Sequence, residues 1–208
     1  MTGPGGRRPF VPVEDDPARP RLFFAVPISE PARRVVADLM ERVQAAVDDG
    51  TARIRWVRVE GLHLTLRFLG PTPVERVPDL ERALAAIGGS EAPFAVTLSG
   101  AGAFPDPAYP RTLWLGIGAG ADRLAALAGR LAAEAAEGGE LGTRPFAPHL
   151  TIARTDGLRF APAAARALRD AAADLDAGFT ADRVVLFRSI LGRGPARYEA
   201  VAESPLSG

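Results

Sequence analysis

The chain has 208 residues, with 25 basic and 25 acidic side chains and a formal net charge of zero. Hydrophobic residues make up 47%, enough for one domain or two small lobes sharing a core. No apolar run approaches the ~20 residues that span a bilayer, and the absence of Cys and Lys excludes a disulfide scaffold, a thiolate nucleophile and Schiff-base or Walker-type lysine chemistry.

Residues 1–20 are dominated by Pro, Gly, Arg and acid, which predicts a flexible extension ahead of a single bilobal domain over 21–208. That extension holds no secretory h-region, so a cytoplasmic protein is expected. Arg21 to Val26 is a short apolar run that suits a buried strand. Ser29 then caps a helix whose apolar face is Val35, Val36, Leu39, Met40 and Val43, stopped by Gly50. Ile54 to Val59 and Leu62 to Leu69 read as strands, and Val74 to Ile87 as a helix. Phe94 to Leu98 and Thr112 to Ile117 are strands separated by a loop over 102–110. Ala121 to Glu137 is an amphipathic helix with Leu124, Leu127 and Leu131 on one stripe. A strand over Phe146 to Ala153, a helix over Pro162 to Leu175, and strands over Phe179 to Phe187 and Ala196 to Val201 complete the order. Strands and helices without strict alternation predict an α+β fold: a duplicated, two-lobed domain whose two mostly antiparallel sheets flank a central cleft, helices outside.

The duplication is visible in four residues. His63-Leu64-Thr65-Leu66 recurs as His149-Leu150-Thr151-Ile152, and these are the only histidines in the chain. In a strand, residues i and i+2 share a face, so each His and Thr point one way and the apolar pair points into a core. Two such strands related by a pseudo-twofold set two imidazoles and two hydroxyls around a shared point. That suits displacement at phosphorus: one imidazole takes a proton from the attacking oxygen and the other protonates the leaving oxygen. The hydroxyls can donate to non-bridging oxygens. A metal site would need a third ligand, and no acidic residue lies near either motif on the same face; neither metal nor other cofactor is expected. Zero net charge argues against broad wrapping of nucleic acid. Local clusters survive it: Arg53, Arg55 and Arg58 form one, Arg188, Arg193 and Arg197 another.

These motifs and their flanks resemble the 2H phosphoesterase superfamily, specifically the LigT-like RNA 2′,3′-cyclic phosphodiesterases historically called 2′-5′ RNA ligases. The resemblance rests on Arg21 to Val26, Leu62 to Gly70, Gly102 to Pro105 with Arg111, Leu113 and Trp114, Arg144 to Arg154, and Gly194-Pro195 with Tyr198. It implies metal-independent opening of a 2′,3′-cyclic phosphate to a 2′-phosphate end. It also implies His63 as proton donor, His149 as proton acceptor, Thr65 and Thr151 beside them, Arg154 on phosphate, and Phe24 and Phe68 stacking on the nucleoside. Spacing alone does not assign donor and acceptor. Strand parity sets Arg154 opposite His149 unless a bulge redirects it, whereas Arg67, four residues after His63, has the right parity. Trp56, Trp114, Tyr109 and Tyr198 are expected to pack or to line the rim. The implied partners are RNA with 2′,3′-cyclic ends or small cyclic nucleotides, with no membrane and a monomeric state. Ligation of 2′-5′ ends and non-catalytic binding of RNA ends are the competing functions.

Overall fold

The computed structural model describes residues 16–47, 54–135, 146–155, 161–192 and 195–208. Gly50, Arg53, Glu137, Arg144, Pro145, Arg193 and Gly194, all named above, lie outside them, as do residues 1–15 of the expected extension. The rest of that extension is already tied down: the carbonyls of Ala18 and Pro20 accept hydrogen bonds from the N–H groups of Val74 and Thr72.

Nine strands and four α-helices follow in the described residues: β1 (Arg21–Pro27), α1 (Glu30–Val47), β2 (Ile54–Trp56), β3 (His63–Pro71), α2 (Val77–Gly88), β4 (Phe94–Phe104), β5 (Thr112–Ile117), α3 (Ala121–Glu134), β6 (His149–Thr155), α4 (Ala161–Ala171), β7 (Ala177–Ala181), β8 (Arg183–Ile190) and β9 (Arg197–Pro205). Ser29 caps α1 as its type predicts, its hydroxyl accepting from the Ala32 N–H at 3.4 Å. The expected strand over 54–59 is cut short, because a 3-10 turn at Val59–Gly61 precedes β3. β4 runs on past Leu98 to Phe104, taking in the first three residues of the segment expected as a loop. A register shift between Leu98 and Ala101, with Gly100 at φ +69°, lets the Ser-Gly-Ala-Gly run stay paired to β5. The single strand expected over 179–187 is two, broken at Asp182.

The two expected sheets are joined into one antiparallel sheet, in the order β7-β4-β5-β6-β3-β1-β8-β9 with β2 on β6. The halves meet along β3 and β6, where Leu64 pairs with Leu150. Outward from that seam β3, β1, β8 and β9 mirror β6, β5, β4 and β7, which is the pseudo-twofold that the repeated motif predicts. Helices obey it too. α2 packs on β8 and β9, and α4 on β4, each within its own half; α1 crosses to α4 and β7, and α3 crosses to α2 and β3. Since β7 and β8 lie in opposite halves yet only Asp182 separates them, the sheet must curl until its halves approach.

One face of the sheet carries the core. Leu22, Phe24 and Val26 of β1, Leu64 and Leu66 of β3, Leu113 and Leu115 of β5, and Leu150 and Ile152 of β6 are buried in one cluster with the apolar faces of all four helices. At about 25 cal/mol per Å² of apolar surface, this continuous layer supplies most of the driving force for folding. The opposite face is left to the histidines.

Candidate active site

The seam register sets the site. With Leu64 opposite Leu150 in antiparallel strands, His63 lies beside Thr151 and Thr65 beside His149. Leu64, Leu66, Leu150 and Ile152 are at most 4% exposed, while the two histidines and two threonines remain partly open on the other face. The four polar residues therefore form a two-by-two block across the seam.

Each imidazole is oriented in the same way. Nδ1 of His63 lies 2.7 Å from the carbonyl of Gly61, and Nδ1 of His149 lies 2.8 Å from the carbonyl of Ala147. A carbonyl only accepts, so Nδ1 carries the proton in both rings and Nε2 is left as the working nitrogen. Nε2 of His63 lies 3.0 Å from the Thr65 hydroxyl.

The surroundings break the symmetry. The His63 ring sits 4.9 Å from Phe23, 4.9 Å edge-on from Tyr198 and 6.1 Å from Phe187. His149 meets Phe104 edge-on at 5.1 Å and Trp114 at 6.3 Å. Burial brings the pKa of His63 from 6.5 down to about 4; the hydrogen bond to Gly61 opposes the fall, and electrostatic repulsion from Arg154 and from the neighbouring His149 adds to it. Burial likewise raises that of Tyr198, against the influence of Arg154.

The residues five places after each histidine join this face. In β3, Ala25 pairs with Thr65 and Phe24 with Arg67, so Leu66 is skipped. In β6, Trp114 pairs with Thr151 and Leu113 with Ala153, so Ile152 is skipped. An extra residue at the same place in both motifs shifts the alternation by one. It brings Phe68 from one strand and Arg154 from the other to a single cavity of about 440 Å³, also lined by Phe23, His63, Thr65 and Tyr198. The bulge that Arg154 requires is thus present. Arg67, expected on the cleft by simple parity, instead pairs with Phe24.

Phe24 is a correction. It is 0% exposed in the core with Leu22 and Val26, because alternation along β1 sends even-numbered residues to the helices. Its neighbour Phe23 faces His63 instead. Phe68 is 56% exposed, with the Arg21 guanidinium 5.5 Å above its ring. The sequence pattern does not single out Phe23, Phe104 or Phe187; each arrives from a strand distant in sequence, and only the parity of β1 relative to the core indicates Phe23. Trp114 and Tyr198, expected as packing or rim residues, touch the imidazoles. Tyr109 is 72% exposed, and Trp56 pairs with Ala153 on β6. Among the described residues no three His, Asp or Glu side chains are grouped to hold a metal ion, and no helix is long and apolar enough to cross a membrane.

Comparison with known proteins sets this geometry among relatives. Residues 29–193 match the family described as the 2′-5′ RNA ligase superfamily. A Geobacillus stearothermophilus protein named RNA 2′,3′-cyclic phosphodiesterase is 33% identical over 197 residues, which is 91% of this chain and 58% of that protein's length. An Aeropyrum pernix protein of the same name is 30% identical over 169 residues, 79% of this chain and 93% of the relative. Among solved structures, one from Thermus thermophilus superimposes with a TM-score of 0.71 at 30% identity, covering 89% of this chain and 97% of the other. Escherichia coli LigT complexed with 3′-AMP gives 0.69 at 25% identity, covering 91% and 99%.

Proposed function

The chain belongs to the 2′-5′ RNA ligase superfamily, and from that premise we propose that it hydrolyses RNA 2′,3′-cyclic phosphodiester ends to 2′-phosphomonoesters with its two histidines as acid and base. The observation that carries the proposal is the seam register, which pairs each histidine with the other motif's threonine on one face. Relatives from Geobacillus stearothermophilus and Aeropyrum pernix that carry the name of this activity support it.

Water attacks phosphorus and gives its proton to Nε2 of His149. The bond from phosphorus to O3′ breaks, and His63 protonates that oxygen, leaving a 3′-hydroxyl and a 2′-phosphate. Burial and the charge of Arg154 hold the free enzyme's His63 neutral. A phosphodiester anion neutralises Arg154 and favours the imidazolium, so the acid is charged where it is needed. Thr65 and Thr151 donate to the non-bridging oxygens, where charge accumulates in the transition state. Arg154 binds the phosphate in a fork that a point charge cannot match, and the exposed ring of Phe68 offers a stacking platform to the terminal nucleoside. A monomer working in the cytoplasm completes the proposal.

The test is incubation of the purified protein in excess EDTA with an oligonucleotide ending in a 2′,3′-cyclic phosphate, followed by identification of the product end. A 2′-phosphate formed at the same rate with and without added magnesium or zinc is expected. Activity that disappears on chelation and returns with one metal would overturn the two-histidine mechanism.

A further inference from the structure

The cavity that holds His63, Thr65 and Arg154 does not stand alone. A second, of about 320 Å³, opens on the other side of the His63 ring, and a third, of about 240 Å³, lies beyond Arg154. All three share Ala196 and Tyr198; the first two also share His63, and the first and third share Arg154. They are successive parts of one groove that passes the start of β9.

The part beyond His63 has its own chemistry. Pro27, Leu62 and Phe187 form an apolar wall, and Arg58 and Arg197 stand at its mouth. Both arginines are exposed, and among the described residues neither guanidinium makes a hydrogen bond or an ion pair. Arg58 is held in place by the 3-10 turn that follows it, and Arg197 by its pairing with Ile190 at the start of β9. Among the described residues, Glu60 is the single carboxylate lining any of the three parts. A chain of zero net charge therefore concentrates positive charge along the groove, at Arg58 and Arg197 on one side of His63 and at Arg21, Arg154 and Arg55 on the other.

A strand that ends in a 2′,3′-cyclic phosphate can continue only from the 5′ oxygen of its terminal ribose. With the cyclic phosphate between His63 and Arg154, the apolar wall with two guanidiniums at its mouth is suited to a phosphate and the base attached to it. We infer that the cavity of Arg58, Arg197, Leu62 and Phe187 is a subsite for the nucleotide immediately 5′ of the cyclic end, so that the substrate is an oligonucleotide and not a free cyclic mononucleotide. This subsite rests on the cyclic-phosphodiesterase activity proposed above.

Two substrates and one double variant test it. Adenosine 2′,3′-cyclic phosphate is compared with the dinucleotide ApA carrying a 2′,3′-cyclic phosphate, in the wild-type chain and in R58Q/R197Q. The wild type should favour the dinucleotide in kcat/KM by about tenfold or more, the worth of one charge-assisted hydrogen bond, with the gain in KM. In the double variant that ratio should fall to within about twofold of one, and the dinucleotide's logarithmic salt slope should flatten by about 0.7 for each phosphate no longer neutralised. An absent preference in the wild type, or an equal decrease on both substrates in the variant, overturns the subsite. Titration with adenosine 2′-phosphate and with ApA bearing a 2′-phosphate end separates the two claims. If neither cyclic substrate is hydrolysed the proposed activity fails, while a tenfold tighter dinucleotide Kd that disappears in R58Q/R197Q still sustains the subsite. Equal dissociation constants refute it.

Discussion

Burial of His63 among Phe23, Phe187 and Tyr198 has a consequence for stability as well as for catalysis. Its pKa is about 4 in the folded chain and 6.5 for the free side chain, so between these values the unfolded chain binds more protons and stability rises with pH. The contribution is complete above pH 6.5, is lost as pH falls towards 4, and reaches at most about 3 kcal/mol at ~1.36 kcal/mol per unit. Urea unfolding from pH 7 to pH 4 should show that slope in the wild type and a flatter one in His63→Asn; parallel slopes would mean that His63 is charged in the fold. At the same scale, His63→Ala and His149→Ala should each lower kcat by about 10²–10⁴. The double variant should lose far less than the product of the two, since groups acting as a unit are not additive. Near-full turnover in either single variant would make that histidine structural.

Within an element, the strand alternation of β1 and the bulge in β3 separate two phenylalanines that the sequence treats alike. Phe24 fills the core and Phe68 stands at the cleft. Phe24→Ala should cost about 3–5 kcal/mol of stability through the cavity it leaves, with KM little changed for the protein that remains folded. Phe68→Ala should leave the unfolding midpoint nearly unmoved and raise KM for a cyclic-ended oligonucleotide by about 5- to 150-fold, as removal of ~1–3 kcal/mol of base stacking requires. The reverse pattern, measured by thermal denaturation and steady-state kinetics, would restore Phe24 to the site. Gly102 illustrates a second constraint at this scale. A Cβ there would collide with the Trp114 ring, so β4 must be bare at this point for Trp114 to lie between it and His149.

Across the whole molecule, the curl of the sheet is secured where β7 passes into β8. The carbonyl of Asp182 accepts a 2.7 Å hydrogen bond from the N–H of Leu206, the Leu206 side chain is 3% exposed in the core, and the N–H of Ser207 donates to the carbonyl of Gly88 at the end of α2. The segment after β9 thus ties the junction of the two halves to a helix. Leu206→Ala should lower stability by about 2–5 kcal/mol, the range of a buried leucine truncation. An unfolding midpoint within error of the wild type would show that the curl is held elsewhere.

His63, Thr65, His149 and Thr151 were legible from sequence because strand alternation is a local property, and a repeated His-x-Thr-x pattern carries its own face with it. The helices α1, α2, α3 and α4 were legible for the same reason, their apolar period being set within the segment. What lay beyond the local pattern was decided by partner strands. Residues 66–68 and 152–154 contain no glycine or proline to announce a bulge; the extra residue exists because β1 and β5 pair past Leu66 and Ile152. That shift took Arg67 from the cleft and put Phe68 and Arg154 there. Phe23, Phe187, Tyr198 and Phe104 reach the imidazoles from strands far away in the chain, so no window of sequence contained them. The sequence by itself determined which side chains could do acid–base chemistry and that they come as a symmetric pair. Only the tertiary structure decided how the pair differs, because the burial that lowers the pKa of His63 comes from rings on three other strands.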